Sequence, residues 1–451
     1  MAIETLEQRI NLYGRAVIEA VCERISSIGS ILNIGEHVLD NKCQIDSESY
    51  KKNPASIPAD AIFAIRKGNA THYAWLGDNS SGLEEGWFTE GGKIALAYCT
   101  SGQPQQYLQK EKEGKIVNAT VTVIEHGGSA GNSAIAERAF LDFLIYAVKR
   151  SSHPDSGLVA DDLQRVKVLY AGIDSEKEPS APYYAEQGLI IEGKKTSLMV
   201  TPEGYSVPDN FIFETGVKTV LQSPLTDFNP NDGQFPEHLS MANFSNIGMV
   251  ALICPKHSYL LHEGYKLFLD PKVARAGAFS TSSLAKNKDT IINRVLPVCD
   301  IILENREELQ ELTGQSIYGA IDDIAASHQG KELTVYTSMD RTGIMGSTCW
   351  GNRPVKEWYA TPYHPNLSKQ GTEPEFTGAG DTAMGIALVG TLLGLPLHYI
   401  LELANLFATY RISHEGIHTY AVNLRKEINQ NRKLCLLDYY IDQARPNPLR
   451  R

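Results

Sequence analysis

Thr377-Gly378-Ala379-Gly380-Asp381 stands directly before an apolar run, Thr382 to Leu395, that reads as a helix. Small residues at the mouth of a helix let backbone N–H groups crowd around an anion, and the helix dipole adds positive potential there. A carboxylate on the same turn can take the proton of an attacking hydroxyl. Gly378, Ala379 and Gly380 are therefore the candidate anion hole and Asp381 the candidate base, a pattern suited to phosphoryl transfer.

Outward from this stretch, short apolar runs alternate with helical patterns. Strands are expected over Ser30 to Leu39, Arg165 to Ala171, Met249 to Cys254, Cys299 to Leu303 and Leu333 to Ser338. Helices are expected over Ala134 to Lys149, His257 to Leu269, Lys286 to Leu296 and Leu397 to Arg411. Such alternation predicts βαβ units and a parallel sheet. Between Asn41 and Glu125 the rhythm breaks into Gly, Ser and Lys-rich text with two strand candidates, Lys93 to Thr100 and Ile116 to Ile124. That composition suggests a β-rich flap over an active site. The expected organisation is one α/β domain over 1–451, with a lid over 41–125 and part of 185–225.

Composition narrows the function classes. The 451 residues are 42% hydrophobic with a formal charge of -11, and no Lys/Arg run makes a basic stripe, so small-molecule chemistry is expected rather than nucleic-acid or acidic-membrane binding. The seven cysteines are scattered with no C-x-x-C pair, which predicts a reducing, cytoplasmic setting. Leu6 to Ile28 mixes Glu7, Arg9, Arg15, Glu19, Glu23 and Arg24 with apolar residues, so it reads as an amphipathic helix over 5–28 and not as a signal segment.

Three other patterns compete. Gly86 to Ile94 resembles a Walker A loop, but its Lys93 comes one residue late and Ile94 replaces the metal-binding hydroxyl. Gly378-Ala-Gly380-Asp-Thr-Ala383 also satisfies a dinucleotide fingerprint, with Glu402 as ribose ligand, yet polar text and Pro374 precede it and Asp381 would face a pyrophosphate. His414-Glu415-Gly416-Ile417-His418 matches H-E-x-x-H, a zinc pattern that needs an unbroken helix, and Gly416 reads instead as a helix-end glycine.

Five elements in order carry a resemblance. Ile34-Gly35 to Asp40, Gly127-Gly128-Ser-Ala-Gly-Asn132, Cys299 to Asn305-Arg-Glu-Glu308 with Leu-Thr-Gly314, Val335-Tyr-Thr337 to Gly343, and Glu375 to Asp381 resemble the successive motifs of the ribokinase (PfkB) family of sugar and nucleoside kinases. The resemblance covers nearly the whole chain. It implies a ribokinase-like three-layer sandwich, a central mostly parallel sheet with a β-rich lid, ATP as phosphoryl donor and Mg2+ as cofactor. It also leaves open a monovalent cation at the site and a homodimer built through the lid.

The family's roles carry over residue by residue. Asp381 would be the general base and Gly378 to Gly380 the anion hole. Asp40 would hold vicinal hydroxyls of the substrate, with Asn132 adding a bond and Gly127 and Gly128 giving close backbone approach. Asn305 and Glu308 would orient magnesium through water. Thr337, Gly343 and Thr377 would line the nucleotide. Text around Met249 to Ser283, with Thr201-Pro-Glu-Gly204, runs nearest the adenosine kinase and inosine-guanosine kinase branch, so a nucleoside 5′-hydroxyl is the leading acceptor. A free sugar is the alternative, and a degenerate binder without turnover is the reading from another class. The chain departs from the family pattern at Glu375, Phe376 and Met339, and its 87 positions between Asp40 and Gly127 imply an enlarged flap.

Overall fold

The computed structural model describes residues 6–22, 28–76, 93–175, 179–189, 199–200, 207–214, 218–222, 246–328, 332–339, 342–351, 353–361, 378–414, 416–430 and 444–447. Helix α1 (Leu6–Val21) precedes strands β1 (Ser30–Gly35) and β2 (Val38–Ile45), then come α2 (Glu48–Lys52), β3 (Ile62–Lys67), β4 (Ala70–Trp75), β5 (Lys93–Leu96) and β6 (Tyr98–Thr100). Next are α3 (Tyr107–Lys112), β7 (Ile116–Gly127), α4 (Ser129–Arg150), α5 (Ser156–Arg165), β8 (Val168–Ile173), α6 (Ala181–Glu186), β9 (Met199–Val200), β10 (Asp209–Glu214) and β11 (Lys218–Gln222). The remainder runs β12 (Ile247–Ile253), α7 (Ser258–Phe268), β13 (Ala274–Ala278), α8 (Thr281–Thr290), β14 (Ile301–Asn305), α9 (Arg306–Thr313), α10 (Ile317–Ser327), β15 (Glu332–Ser338), β16 (Ile344–Trp350), β17 (Arg353–Ala360), α11 (Ala379–Leu393), α12 (Leu397–Ile412), α13 (Gly416–Asn429) and β18 (Arg445–Pro446).

Ten strands form the main sheet in the order β18-β17-β16-β15-β14-β13-β12-β1-β8-β9. The stretch from β15 to β9 is parallel, and β16, β17 and β18 extend it antiparallel at one edge. Continuous apolar text in β12 has a simple cause: both of its faces are buried. Met249, Ala251 and Ile253 pack into the core beneath α1, α4, α11, α12 and α13, while Val250 and Leu252 pack into the core beneath α7, α8, α9 and α10. The result is the three-layer sandwich that the alternation implied.

A second, mixed sheet runs β5-β11-β10-β2-β7-β3-β4-β6 and has its own core of Ile45, Phe63, Ile65, Val117, Phe211, Phe213 and Leu221 among others. The predicted strand Ser30 to Leu39 is in fact two. It breaks at Glu36 and His37, where the chain leaves the main sheet for the second one, because the polar pair is anchored there by side-chain bonds that a continuous ladder could not accommodate. The predicted helix Lys286 to Leu296 also begins earlier, at Thr281, and kinks at Asn287.

The N-terminal helix is fastened by a buried polar cluster. Glu402 of α12, 3% exposed, accepts hydrogen bonds from Arg9 and from Tyr13 Oη (2.8 Å). Breaking such a pair leaves a carboxylate in a dry core. Arg9→Ala is therefore expected to destabilise the protein by about 2–4 kcal/mol in urea unfolding, the scale for a buried pair that loses one partner.

Candidate functional site

Parallel strands direct their C-terminal ends to one edge of the main sheet, and helices that follow them begin there, so backbone N–H groups collect at that edge. Helix α11 starts at it. Gly378 caps the helix with φ +78°, a left-handed conformation that favours glycine, and both the N–H and the hydroxyl of Thr382 donate to its carbonyl (2.9 and 2.8 Å). Gly380 is exposed, with nothing within 4 Å of where a Cβ would stand, so the space before the helix mouth is open. Asp381 is half-buried on the first turn. Its Oδ2 accepts from Asn132 Nδ2 (2.9 Å), and its carbonyl accepts from Ser133 Oγ (3.1 Å).

Asn132, which the sequence pointed to as a substrate contact, donates to the candidate base. The two helix mouths meet because Gly385 lies against α4: a Cβ there would stand 2.6 Å from the Ser133 carbonyl.

Asp40 lies across the opening, on β2 of the second sheet, half-buried, its Oδ1 accepting from Asn210 Nδ2 (2.8 Å). Gly127 and Gly128 serve this carboxylate and its strand. A Cβ on Gly127 would meet Asp40 Oδ2 at 2.1 Å, and one on Gly128, whose φ is +104°, would meet the Glu36 carbonyl at 2.2 Å. Behind Asp40 lies a buried relay that the sequence did not announce. His37 Nε2 faces His126 Nδ1 (3.0 Å), and His37 Nδ1 is 3.4 Å from Asp174 Oδ1. Burial pushes the Asp174 carboxyl up, but the bond and charge of His37 with the N–H groups of Ser180 and Ser175 outweigh it and hold it below the ordinary range. Burial, reinforced by His37, holds His126 below the usual histidine value. Tyr183 packs its ring 4.9 Å from that of His126 and lies in the field of Asp40.

Asn305 and Glu308 form a capping box on α9: Asn305 Oδ1 accepts from the Glu308 N–H (2.8 Å) and Glu308 Oε2 from the Asn305 N–H (3.1 Å). Glu308 is also turned toward the site, within the field of Asp381, and desolvation lifts its carboxyl to about 7. Its neighbour Glu304, 4% exposed, is raised further by burial and then by Glu308. Glu304 Oε1 accepts from the Phe279 N–H (2.8 Å) while Oε2 has no donor. A proton on that oxygen, donated to Glu308, satisfies both groups. Thr337, fully buried, pairs with Glu304 across β15 and β14, and among the described residues its hydroxyl has no hydrogen-bond partner. Gly343, at φ +127°, closes the turn after β15 by accepting from the Met339 N–H (2.8 Å).

Thr377, Glu375, Phe376, Thr201 to Gly204 and the Walker-like Gly86 to Gly92 lie outside the described residues. Glu402 is spent on Arg9 and Tyr13, far from any ribose role. His414 and His418 fall on either side of a helix break, with His414 Nδ1 2.7 Å from the Tyr410 carbonyl and His418 Nδ1 against Gln187. Among the described residues no cluster of three or more His, Cys, Asp and Glu side chains forms a metal cage.

Two cations escaped the sequence reading. Arg411, 1% exposed on α12, donates from Nη1 to the His414 carbonyl (2.6 Å), and its Nε lies 3.5 Å from where a Gly378 Cβ would be. A guanidinium thus lies behind the Gly378 cap, at the candidate anion hole. Its only sequence signal is a lone charge in the apolar text Leu406-Phe-Ala-Thr-Tyr-Arg-Ile412. Lys256, 7% exposed, follows β12 and lies in the fields of Glu36, Cys254 and Asp40.

Residues 270–422, which run from just before β13 into α13 and include the whole α11 mouth, match the pfkB family carbohydrate kinase model. The likeness to that family thus rests on the C-terminal part of the main sheet and the helices that follow it. No curated protein matches the sequence. Among solved structures, the adenosine kinase from Sinorhizobium meliloti superposes with a TM-score of 0.53 at 14% identity, over 88% of this chain and 99% of that one. A chain assigned as a ribokinase II from E. coli, solved in complex with ATP and Mg2+, gives 0.52 at 12% identity over 89% and 99%. The Arabidopsis thaliana ribokinase complexed with ribose and ATP gives 0.50 at 13% identity over 88% and 99%. At these identities the likeness is one of fold.

The raised Glu308 carboxyl has a consequence for nucleotide binding. Protonated below about 7 and charged above it, Glu308 should make the kcat/KM for magnesium nucleotide rise between pH 6 and pH 8. Glu308→Gln should lower that constant and flatten the limb, as read from initial rates over the same range.

Proposed function

We propose that this chain transfers the γ-phosphoryl group of ATP to the 5′-hydroxyl of a nucleoside. The observation that carries the reading is the Asp381 carboxylate on the first turn of α11, oriented by Asn132 and set beside a helix mouth that opens to solvent at Gly380. Asp40 would accept two vicinal ribose hydroxyls and so point the 5′-oxygen at the helix mouth. As that oxygen bonds to the γ-phosphorus, its proton passes to Asp381, the bond from phosphorus to the bridging oxygen breaks, and ADP leaves with the electron pair. Charge building on the transferred group would be met by the N–H groups of Gly378, Ala379 and Gly380, with Arg411 behind them.

The donor set suits magnesium held through its water shell. Glu308 presents carboxylate oxygens beside Glu304, whose carboxyl burial holds well above its ordinary value, a setting for a hard cation's hydration waters, and Asn305 keeps the Glu308 side chain in place. When bound, the ion would neutralise phosphate charge and hold the nucleotide in line.

The nucleoside is favoured over a free sugar by the His126–Tyr183 ring pair, which offers an aromatic surface within reach of Asp40 that a sugar alone would not need. The fold neighbours include kinases of both acceptor kinds, and ribose or a hexose is the second acceptor class.

ADP release from Mg-ATP should be measured across purine and pyrimidine nucleosides and across ribose-like and hexose sugars. Turnover is expected on a nucleoside, and Asp381→Asn should cut kcat by about 10³-fold with the fold intact. Binding without turnover on every acceptor would overturn the kinase reading. Tyr183→Ala should raise KM for the nucleoside about tenfold and leave that for ribose within about twofold, since a stacked ring contributes on the order of 1 kcal/mol; equal effects on both would favour the sugar.

A further inference from the structure

Among the cations near the site, Lys256 has a held backbone and an unheld ammonium. Its N–H and that of His257 donate to Glu36 Oε1 (2.8 and 2.6 Å), and its carbonyl accepts from Asn287 Nδ2 (3.1 Å). The turn is reached through Cys254, a non-glycine residue at φ +48°, whose N–H donates to the Ala278 carbonyl (2.7 Å). Strained backbone of this kind persists where the surroundings over-determine it, and it clusters at functional sites. The turn therefore fixes the Lys256 backbone.

Among the described residues no side chain pairs with the charge at its end. The residue is 93% buried, yet among the described residues its ammonium makes no hydrogen bond and no ion pair. Glu36, the carboxylate most strongly felt, is engaged with the two backbone N–H groups through Oε1, and its Oε2 is 3.5 Å from His257 Nε2. Burial accordingly pulls the Lys256 ammonium below its ordinary value. An isolated ammonium in a dry setting is costly unless an anion completes it.

Its surroundings say which anion. Lys256 lies in the field of Asp40, on the acceptor side, while Cys254, two residues earlier, lies in the fields of Glu308 and Asp381 on the donor side. The geometry points to Lys256 as a phosphoryl-binding residue, its ammonium bonding a non-bridging oxygen of the phosphate group that sits between the two sides, opposite the α11 mouth. The anion class, a phosphate or polyphosphate, follows from the buried charge alone; that the bound group is the one in transfer rests on the kinase reading.

Inorganic tripolyphosphate probes the assignment without any acceptor. Thermal unfolding of the full chain should shift upward by several degrees with millimolar tripolyphosphate, and Lys256→Met should abolish most of that shift while Lys256→Arg keeps at least half of it. Without ligand, Lys256→Met should unfold at the same temperature as the parent or higher, because a buried uncompensated charge has been removed; a lysine with a merely structural role would give a lower value. Should Lys256→Met fail to fold, Lys256→Gln gives the same comparison. An unresponsive parent, or an equal shift in the Met or Gln variant, overturns the assignment. Turnover that depends on Asp381 but is unchanged in Lys256→Met also overturns it, and leaves the kinase reading standing. A tripolyphosphate shift lost in Lys256→Met, with no turnover on any acceptor, upholds the assignment and removes the kinase reading.

Discussion

The contact on which this site depends is the close approach of α11 to α4, where the Gly385 backbone lies against the Ser133 carbonyl with no room for a side chain. Two helices that begin at the same edge of a parallel sheet are brought so near that a side chain on the first turn of one, Asn132, reaches the carboxylate on the first turn of the other, Asp381. Positive potential from the α11 mouth, a fixed carboxylate and an open space before Gly380 then coincide. A bulkier contact would separate the helices by the width of a methyl group and leave Asp381 free to rotate.

A second constraint governs the acceptor side. The chain leaves the main sheet at Glu36–His37 and returns at Gly127–Gly128, so two crossings lie side by side between the sheets. Polar side chains fill the seam: His37 joins Asp174 to His126, Glu36 holds the turn after β12, and Asp40 takes the space left by Gly127. The second sheet thereby has a core of its own and is tied to the main sheet by these bonds and by Leu39 of β2, which packs into the main-sheet core. Such a seam lets a lid be positioned without being fused to the body.

Charged groups gather at the site. Arg411 backs the α11 mouth and Lys256 follows β12 in the fields of Glu36 and Asp40, while Asp40, Asp381 and the Glu304–Glu308 pair supply the carboxyl groups. Each cation is almost wholly buried, which raises its electrostatic effect at the cost of stability in the unliganded protein. Neither could be picked from the text. A lysine after Cys-Pro and an arginine near a helix end look like surface charges until the fold puts apolar layers around them.

Periodicity was a sound guide to most strands of the main sheet and to α7, because burial on both faces writes apolar runs into β8 and β12 and one-sided burial writes amphipathic spacing into α7, whereas α9 and α10 were not expected. Local chemistry was equally legible where it needs only neighbours in sequence: the Gly378 cap, the Asp381 carboxylate, and the Asn305–Glu308 spacing, which is first of all a capping box. Side-chain partners distant in sequence were not legible. Asn132 to Asp381 spans 249 positions, His37 to His126 spans 89, and nothing local in either segment specifies the other. The amino-acid sequence alone determined the main sheet and the glycine-rich helix mouth with its carboxylate, since these follow from backbone geometry and residue identity. Only the tertiary structure decided that Asn132 reaches Asp381, that glycines make room for Asp40, and that Arg411 and Lys256 are buried, because those outcomes depend on which surfaces are packed together and which charges lose their water.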